Sequence, residues 1–511
     1  MSKLKNKVIY QIYPKSFLDT TGTGLGDLEG ILQKLHYLQE LGVDYLWLSP
    51  ICTSPQRDNG YDIADYYNID PMYGSMMDYE NLIAEGKKRN IQIMMDLVLN
   101  HTSDQHEWFQ KAISGEEKYR NFYVLRDTPN EIQSFFGGSA WSYHEGLGKY
   151  YLHLFDKTQP DLNWENPELR EEIYQMVNFW IEKGVGGFRL DVIDLIGKEP
   201  DKLILGKGPK FYEYLEELNQ RTFGDKLLTV GECWCSTLEE CAKMCHPKGL
   251  TQAFHFNHLT LVDRGWKWTK KPLNLEELAQ CLSKWQTEYK GTEALVMNNH
   301  DLPRLLSTWL DDTSYRKESA KLLISLFSLL KGNLYLFQGE EIGATNAHMT
   351  EIDQYNDVET KNVYQKLKKD GYPEKVIMSL IAETSRDNAR VPMAWNGAKN
   401  AGFTSGTPWL ALNQNCSVVN VEADLASDDS VYAYYQKMIR FRKEQEALLQ
   451  EEISFHVEGD IFSFSKGNLR FQGNFSKYVV PKEKTGKMIF TNYAQEQDGL
   501  LRPYEVYVSM V

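Results

Sequence analysis

Apolar residues along the chain gather into eight short runs, each closing on polar or glycine-containing residues. They are VIYQIYP (8–14), VDYLWLSPI (43–51), IQIMMDLVLNH (91–101), GVGGFRLDV (184–192), KLLTVGE (226–232), QAFHFNH (252–258), ALVMNNHD (294–301) and LYLFQGEE (334–341). Short apolar runs bounded by turn residues read as buried strands. Between them lie stretches of helical spacing, such as LEGILQKLHYLQELG before the second run and LREEIYQMVNFWIEKG before the fourth. Eight buried strands alternating with amphipathic helices predict an α/β protein with a parallel (β/α)8 TIM barrel.

Two intervals are too long for one βα unit of roughly 30 residues. The stretch 102–165, rich in aromatics and glycine (FFGGSAW, YYLHLF), reads as a domain inserted after the third strand. A second excursion, about 344–398, follows the eighth run. After the helical stretch VYAYYQKMIRFRKEQEALL, the tail alternates strand-like pieces (ISFHV, IFSFS, KMIFTNY, YEVYVSMV), which predicts an all-β C-terminal domain. The expected organisation is a barrel from 1–101 and 166–430, an inserted domain at 102–165, and a linking helix with a β domain at 431–511.

Composition narrows the partners. The 511 residues carry a net charge of −15, with 42% hydrophobic and 25% charged residues. An acidic chain argues against nucleic acid and against anionic lipid, so a neutral small molecule is the expected partner, bound by a monomer. No run of 18 apolar residues appears, and the N-terminus MSKLKNKVIYQIYPKSF lacks an apolar signal core, so a cytoplasmic protein is expected. Seven cysteines fit reduced thiols. Four of them, Cys233, Cys235, Cys241 and Cys245, fall close together, and a capping box from Ser236 to Glu239 would put Cys241 and Cys245 on one helical face. Zinc is the alternative reading, but the spacing is not a standard one.

The strand ends carry the chemistry. Run three ends in Asp96, Asn100 and His101, run four in Arg189 and Asp191, run five in Glu232, run seven in His300 and Asp301. Parallel barrels place catalytic groups at these C-terminal ends. Paired carboxylates serve glycoside cleavage, one attacking the anomeric carbon and one protonating the leaving oxygen. Arg189 shares a strand face with Asp191 and is expected to keep it ionised; like-charge neighbours are expected to leave the proton on Glu232. A metal role for His101 and His300 is the rival, but neither sits in a helical HExxH.

The blocks DLVLNH (96–101), QPDLN (159–163), GFRLDV (187–192), TVGE (229–232) and NNHD (298–301) resemble, in order and spacing, the conserved blocks of glycoside hydrolase family 13, the α-amylase family. The resemblance implies Asp191 as nucleophile, Glu232 as acid/base, and Asp301 as a third carboxylate gripping sugar hydroxyls, with His101 and His300 on the same ring. RDNGYDI (57–63) and SRDNARVPMAW (385–395) are similar to blocks of the exo-acting oligosaccharide glucosidases. That implies Asp58 on the terminal 4-hydroxyl, Tyr61 stacked on the ring, and an arginine for Asp58, with Arg386 a better candidate than Arg390. Phe136, Phe155 and Gln159 match further pocket positions.

Val192, GECW (231–234) and IGKEPDKLILGKGPK (196–210) resemble the oligo-1,6-glucosidases and glucan 1,6-α-glucosidases, with Trp234 as an acceptor platform. The implied reaction is retaining hydrolysis of α-1,6-linked glucose at nonreducing ends of isomalto-oligosaccharides or dextran fragments. Trehalose-6-phosphate hydrolysis, α-1,4-glucosidase or transglucosidase activity, and a non-catalytic barrel homologue remain alternatives. No cofactor is implied. The family's calcium loop corresponds to Asp19-Thr20-Thr21-Gly22-Thr23-Gly24-Leu25-Gly26-Asp27, where threonine stands at two ligand positions, so a tight metal site is not expected.

Overall fold

Each of the eight apolar runs forms a strand. In the computed structural model, which describes residues 4–234, 236–483 and 485–511, they are β1 (Val8–Ile12), β2 (Tyr45–Leu48), β3 (Gln92–Val98), β4 (Gly187–Asp191), β5 (Leu228–Glu232), β6 (Gln252–Phe254), β7 (Ala294–Val296) and β8 (Asn333–Phe337). All ladders are parallel, in the order β6-β5-β4-β3-β2-β1-β8-β7, and β6 packs against β7 to close the ring. Strands buried on both faces have no polar side to show, which is why these runs are continuously apolar rather than alternating.

Register brings the strand-end polar groups level. Asp96 lies beside Arg189 on the neighbouring strand, and Gly231 beside Leu190, so Glu232 stands at the height of Asp191. The segment between β3 and β4 holds a three-stranded antiparallel sheet of Leu125–Arg126, Lys149–Leu152 and Trp141–His144. Its apolar cluster includes Ile132, Trp141 and Leu154, and Leu195 and Val192 from the loop after β4 pack into it. The excursion after β8 forms helices Val358–Lys369 and Glu374–Thr384, packed with Trp268 into a separate apolar cluster. These two additions wall the C-terminal mouth of the barrel.

Several boundaries differ from expectation. The stretch after the first strand divides into Leu28–Gln33 and Leu35–Leu41, because Lys34 leaves helical geometry at φ −98°, ψ 4°. The helix at 431–449 breaks at Gln445 into Val431–Glu444 and Glu446–Leu449. The capping box beyond β5 is Thr237 with Glu240, not Ser236 with Glu239. The helix runs to Met244, with Cys245 at its C-cap. Cys235 lies outside the described residues; burial pushes the thiols of Cys233, Cys241 and Cys245 up, which favours neutral thiols.

The C-terminal sheet has five antiparallel strands, β9 (Ile453–Glu458), β10 (Ile461–Lys466), β11 (Leu469–Asn474), β12 (Lys487–Thr491) and β13 (Val506–Met510), in the order β9-β10-β11-β13-β12. LRFQGN, which forms β11, escaped the sequence reading because Gly473 and three polar residues dilute its pattern. Two buried cations tie the linking helix and this sheet to the barrel. Arg442 donates to the carbonyls of Ser328, Leu330 and Gly332. Lys466 donates to those of Leu329 (3.1 Å) and Leu449 (3.0 Å). Both thus satisfy chain ends that a helix leaves without partners.

Burial, with Arg442 and Lys331 nearby, lowers the Lys466 ammonium to about 7. Its unfolded value is higher, so the unfolded chain binds the extra proton between about pH 7 and the ordinary lysine range. Stability should therefore fall as pH drops through that window, by at most about 1.4 kcal/mol per unit, and the dependence ends below it. Lys466→Met removes the titration. In urea denaturation the wild type should gain on the variant between about pH 7.5 and about pH 9.5. A constant difference would mean that Lys466 stays charged.

Candidate active site

The C-terminal mouth of the barrel opens into a cavity of about 1190 Å³, lined from the strand ends, the inserted sheet and the excursion after β8. At its floor Arg189 is the shared cation of three carboxyls. Its guanidinium reaches Asp96 (2.8 Å), Asp191 (2.7 Å) and Glu232 (2.5 Å), and all four side chains are buried. Alternation on β4 aims Arg189 and Asp191 the same way, and register supplies the other two. A planar guanidinium spreads its donors over two terminal nitrogens, so Nη1 serves Asp96 and Asp191 while Nη2 serves Glu232. Trp47 and Tyr61 each donate to Asp96 at 3.1 Å.

The state of Asp191 differs from the sequence expectation. Burial, together with Glu232, Asp96 and Asp301, pushes the Asp191 carboxyl well above the usual range against the pull of Arg189. Glu232 does not face bare carboxylates. It is ion-paired to Arg189 and accepts from Trp234 Nε1 (2.9 Å) and from the Val192 backbone N–H (3.1 Å).

The third carboxyl is held differently. Burial opposes ionisation of Asp301, but His300, Arg386 and Arg390 outweigh it and hold the group well below the usual range. His300 Nε2 lies 2.9 Å from Asp301, while its Nδ1 lies 2.8 Å from Gln11 Nε2. The Tyr61 ring is parallel to that of His300, and its hydroxyl is 2.6 Å from His300 Nε2. Gln159 bridges Asp58 (3.0 Å) and His101 (3.2 Å), and burial lowers His101 to about 4, a neutral imidazole. Phe155 packs on His101 and on Phe136, and Arg386 lies over the Phe136 ring.

Arg386 is the arginine nearest Asp58, but the pair is long, 3.9 Å. Its close partners are Asp357 (2.5 Å) and Asp301 (2.9 Å). Asp58 is left with Gln159, and burial raises it to about 7. Arg390, the less favoured candidate, donates to the His300 carbonyl (2.7 Å) and to Asp301 (3.0 Å). Asp357 went unread in the sequence. It caps the helix Val358–Lys369, a signal visible in D-V-E-T, but its bond to Arg386 joins distant segments and leaves no local pattern. Asp62 likewise fixes the RDNGYDI loop by accepting from the N–H groups of Arg57 and Asp58.

Val192 departs from strand geometry. Its φ of 35° and ψ of 43° lie in the left-handed region, uncommon for any side chain and costly for a β-branched one. That turn starts the 3-10 helix Ile193–Gly197 and breaks strand alternation, so Val192 as well as Asp191 lines the cavity. Trp234 lines it too, packed on Phe256.

In the loop 19–27 the carboxylates are already saturated. Asp19 accepts from the N–H groups of Thr21, Gly22 and Gly24 and from the Thr404 hydroxyl. Asp27 accepts from Thr20 and Gly30. Donors surround both groups, so these residues do not fit a calcium ion, which needs converging lone pairs. No helix among the described residues is long and apolar enough to cross a membrane.

The arrangement matches known proteins over nearly its whole length. The profile of the alpha-amylase catalytic domain covers residues 11–451. The glucan 1,6-alpha-glucosidase of Streptococcus pneumoniae serotype 4 is 49% identical over 479 residues, 91% of this chain and 90% of the relative. The oligo-1,6-glucosidase of Parageobacillus thermoglucosidasius is 42% identical, covering 99% and 98%. A solved structure of Bacillus licheniformis trehalose-6-phosphate hydrolase superposes with a TM-score of 0.93 at 40% identity, covering 99% of each chain. With the eight-stranded barrel, the inserted sheet, the C-terminal sheet and carboxyls gathered at the strand ends, the chain belongs to the alpha-amylase family and is a glycoside hydrolase.

Proposed function

We propose that the protein removes α-1,6-linked glucose from the nonreducing ends of neutral isomalto-oligosaccharides or dextran fragments, with retention. The charge of the cavity carries this reading. Among the described residues its lining holds eight carboxyl side chains against three cations, Lys267, Lys366 and Arg386. Each cation is already paired, Lys267 with Glu359, Lys366 with Asp370, and Arg386 with Asp301 and Asp357. A phosphorylated disaccharide would need a free cation and would meet net negative charge. Neutral sugar meets no such barrier. Exposed aromatics at the mouth, Phe135, Trp266 and Tyr372, suit the apolar faces of further sugar units.

In this reading Asp191 attacks the anomeric carbon and Glu232 protonates the departing oxygen, later activating water on the glucosyl-Asp191 ester. An aspartate that burial makes costly to ionise gains most where positive charge develops beside it, at the oxocarbenium-like transition state. Asp301, held ionised by His300 and two arginines, would grip hydroxyls of the same ring. Asp58, with Gln159 and Arg386 around it, would take the terminal 4-hydroxyl and leave no room for chain beyond it.

Three measurements test the proposal. Specificity constants for isomaltose, maltose and trehalose-6-phosphate should rank isomaltose first. Val192 presents a stiff surface to the acceptor, so isomaltose should exceed maltose by about ten- to a few hundredfold, and Val192→Ala should shrink that ratio. An unchanged ratio would place linkage selection elsewhere, and preference for trehalose-6-phosphate would overturn the reading. Glu232→Gln should slow isomaltose by about 10²-fold or more, yet spare substrates with good leaving groups. Equal losses would remove Glu232 from the acid role. Exhaustive chelation should leave activity and Tm unchanged, because loop 19–27 is closed by its own hydrogen bonds. A loss restored by calcium would refute this.

A further inference from the structure

Seven of the eight carboxyls lining the cavity have an evident partner, and Asp194 does not. Asp191 and Glu232 have Arg189; Asp301 has His300 and the two arginines; Asp58 has Gln159. Asp263, Glu359 and Asp370 each have a lysine. Asp194 lies three residues past the nucleophile, in the 3-10 helix Ile193–Gly197, and is partly buried. Among the described residues no other side chain hydrogen-bonds or ion-pairs with its carboxyl. Lys207 acts on it through space, but its ammonium is committed to Ser236 (2.9 Å) and Glu240 (3.2 Å). Glu232 adds negative charge nearby. Its own backbone N–H is the one donor that reaches it, so a carboxyl mostly removed from water keeps acceptor capacity that no other side chain fills and that a ligand could use.

Its place decides which ligand. The groups that knit together around Tyr61, His300 and Asp301 come from the loops after β2, β3, β7 and β8. Asp194 comes with Val192 from the loop after β4, beside Glu232 and Trp234 on the loop after β5. In the proposed reaction this wall faces the sugar that leaves.

We propose that Asp194 is the acceptor-side specificity residue, accepting a hydrogen bond from a hydroxyl of the leaving sugar and excluding acceptors that carry phosphate. The inference deepens the proposed function and rests on its assignment of Glu232 to the leaving side. A hydroxyl donor supplies the partner that no other side chain provides, and a sugar phosphate would bring a dianion beside Asp194 and Glu232, with Lys207 already committed to Ser236 and Glu240.

The test uses Asp194→Asn and Asp194→Ala in the full chain. Specificity constants are measured for p-nitrophenyl-α-glucoside, whose leaving group has no sugar hydroxyls, and for whichever disaccharide the wild type cleaves best. Failure of the 1,6-linkage reading therefore leaves the Asp194 result intact. Glucose 6-phosphate serves as the inhibitor that probes the acceptor wall. Asp194→Ala should lower the disaccharide constant about ten- to a hundredfold more than that of the nitrophenyl glucoside. Asp194→Asn, which keeps size and one acceptor oxygen, should lose less, and in both variants glucose 6-phosphate should inhibit more tightly. Equal losses on the two substrates, with unchanged inhibition by glucose 6-phosphate in Asp194→Asn, would overturn the proposal and leave Asp194 a merely structural residue.

Discussion

The site depends on one guanidinium. Three carboxyls from three adjacent strands converge on Arg189 in a place water scarcely reaches, and without a shared cation they could not remain close together. A buried ion cluster of this kind is weak evidence for stability, since apolar residues of equal volume would serve as well. Its retention makes sense as function. It spaces Asp191 and Glu232 on neighbouring strands at equal height, and it leaves Asp191 under electrostatic tension that a positive partner would relieve. The barrel contributes the rigid register that makes the convergence reproducible.

Around that centre the additions to the barrel act as walls rather than as separate bodies. The inserted sheet brings Phe136 and Phe155, and the excursion after β8 brings Arg386 and, through Asp357, the means of holding it. The cations on these walls are paired, so among the described residues the cavity offers hydroxyl-binding groups and aromatic faces but no free cation. Selection for uncharged sugar would then be a property of the whole lining and of Asp194, the one lining carboxyl that no other described side chain pairs.

The barrel was legible because fully buried strands cannot hide: each is a short apolar run with a polar end, and all eight runs form strands. The gathering of Asp191, Glu232, Asp301, His101 and His300 was legible for the same reason, since strand ends meet in space whatever their separation in sequence. What escaped the sequence were relations between loops. Asp357 looks like a helix cap, and its second oxygen is committed to an arginine nearly thirty residues on. The long Asp58–Arg386 distance and the sharing of Arg189 with Glu232 depend on side-chain reach, which no spacing encodes. Strand β11 was lost to its glycine and polar residues, and the capping box slipped by one residue because Ser236 and Thr237 offer the same chemistry in succession.

The backbone at Val192 has a consequence for how such a protein can diversify. A left-handed β-branched residue holds strain in the same peptide whose N–H steadies Glu232. A smaller or more permissive residue would relax the turn while also enlarging the cavity, and glycine would do so most, at the expense of a fixed N–H. Drift at this position therefore cannot change substrate preference alone. If Val192 sets linkage as proposed, each substitution there also changes folding free energy and the anchoring of Glu232, so preference and robustness would evolve as one trait.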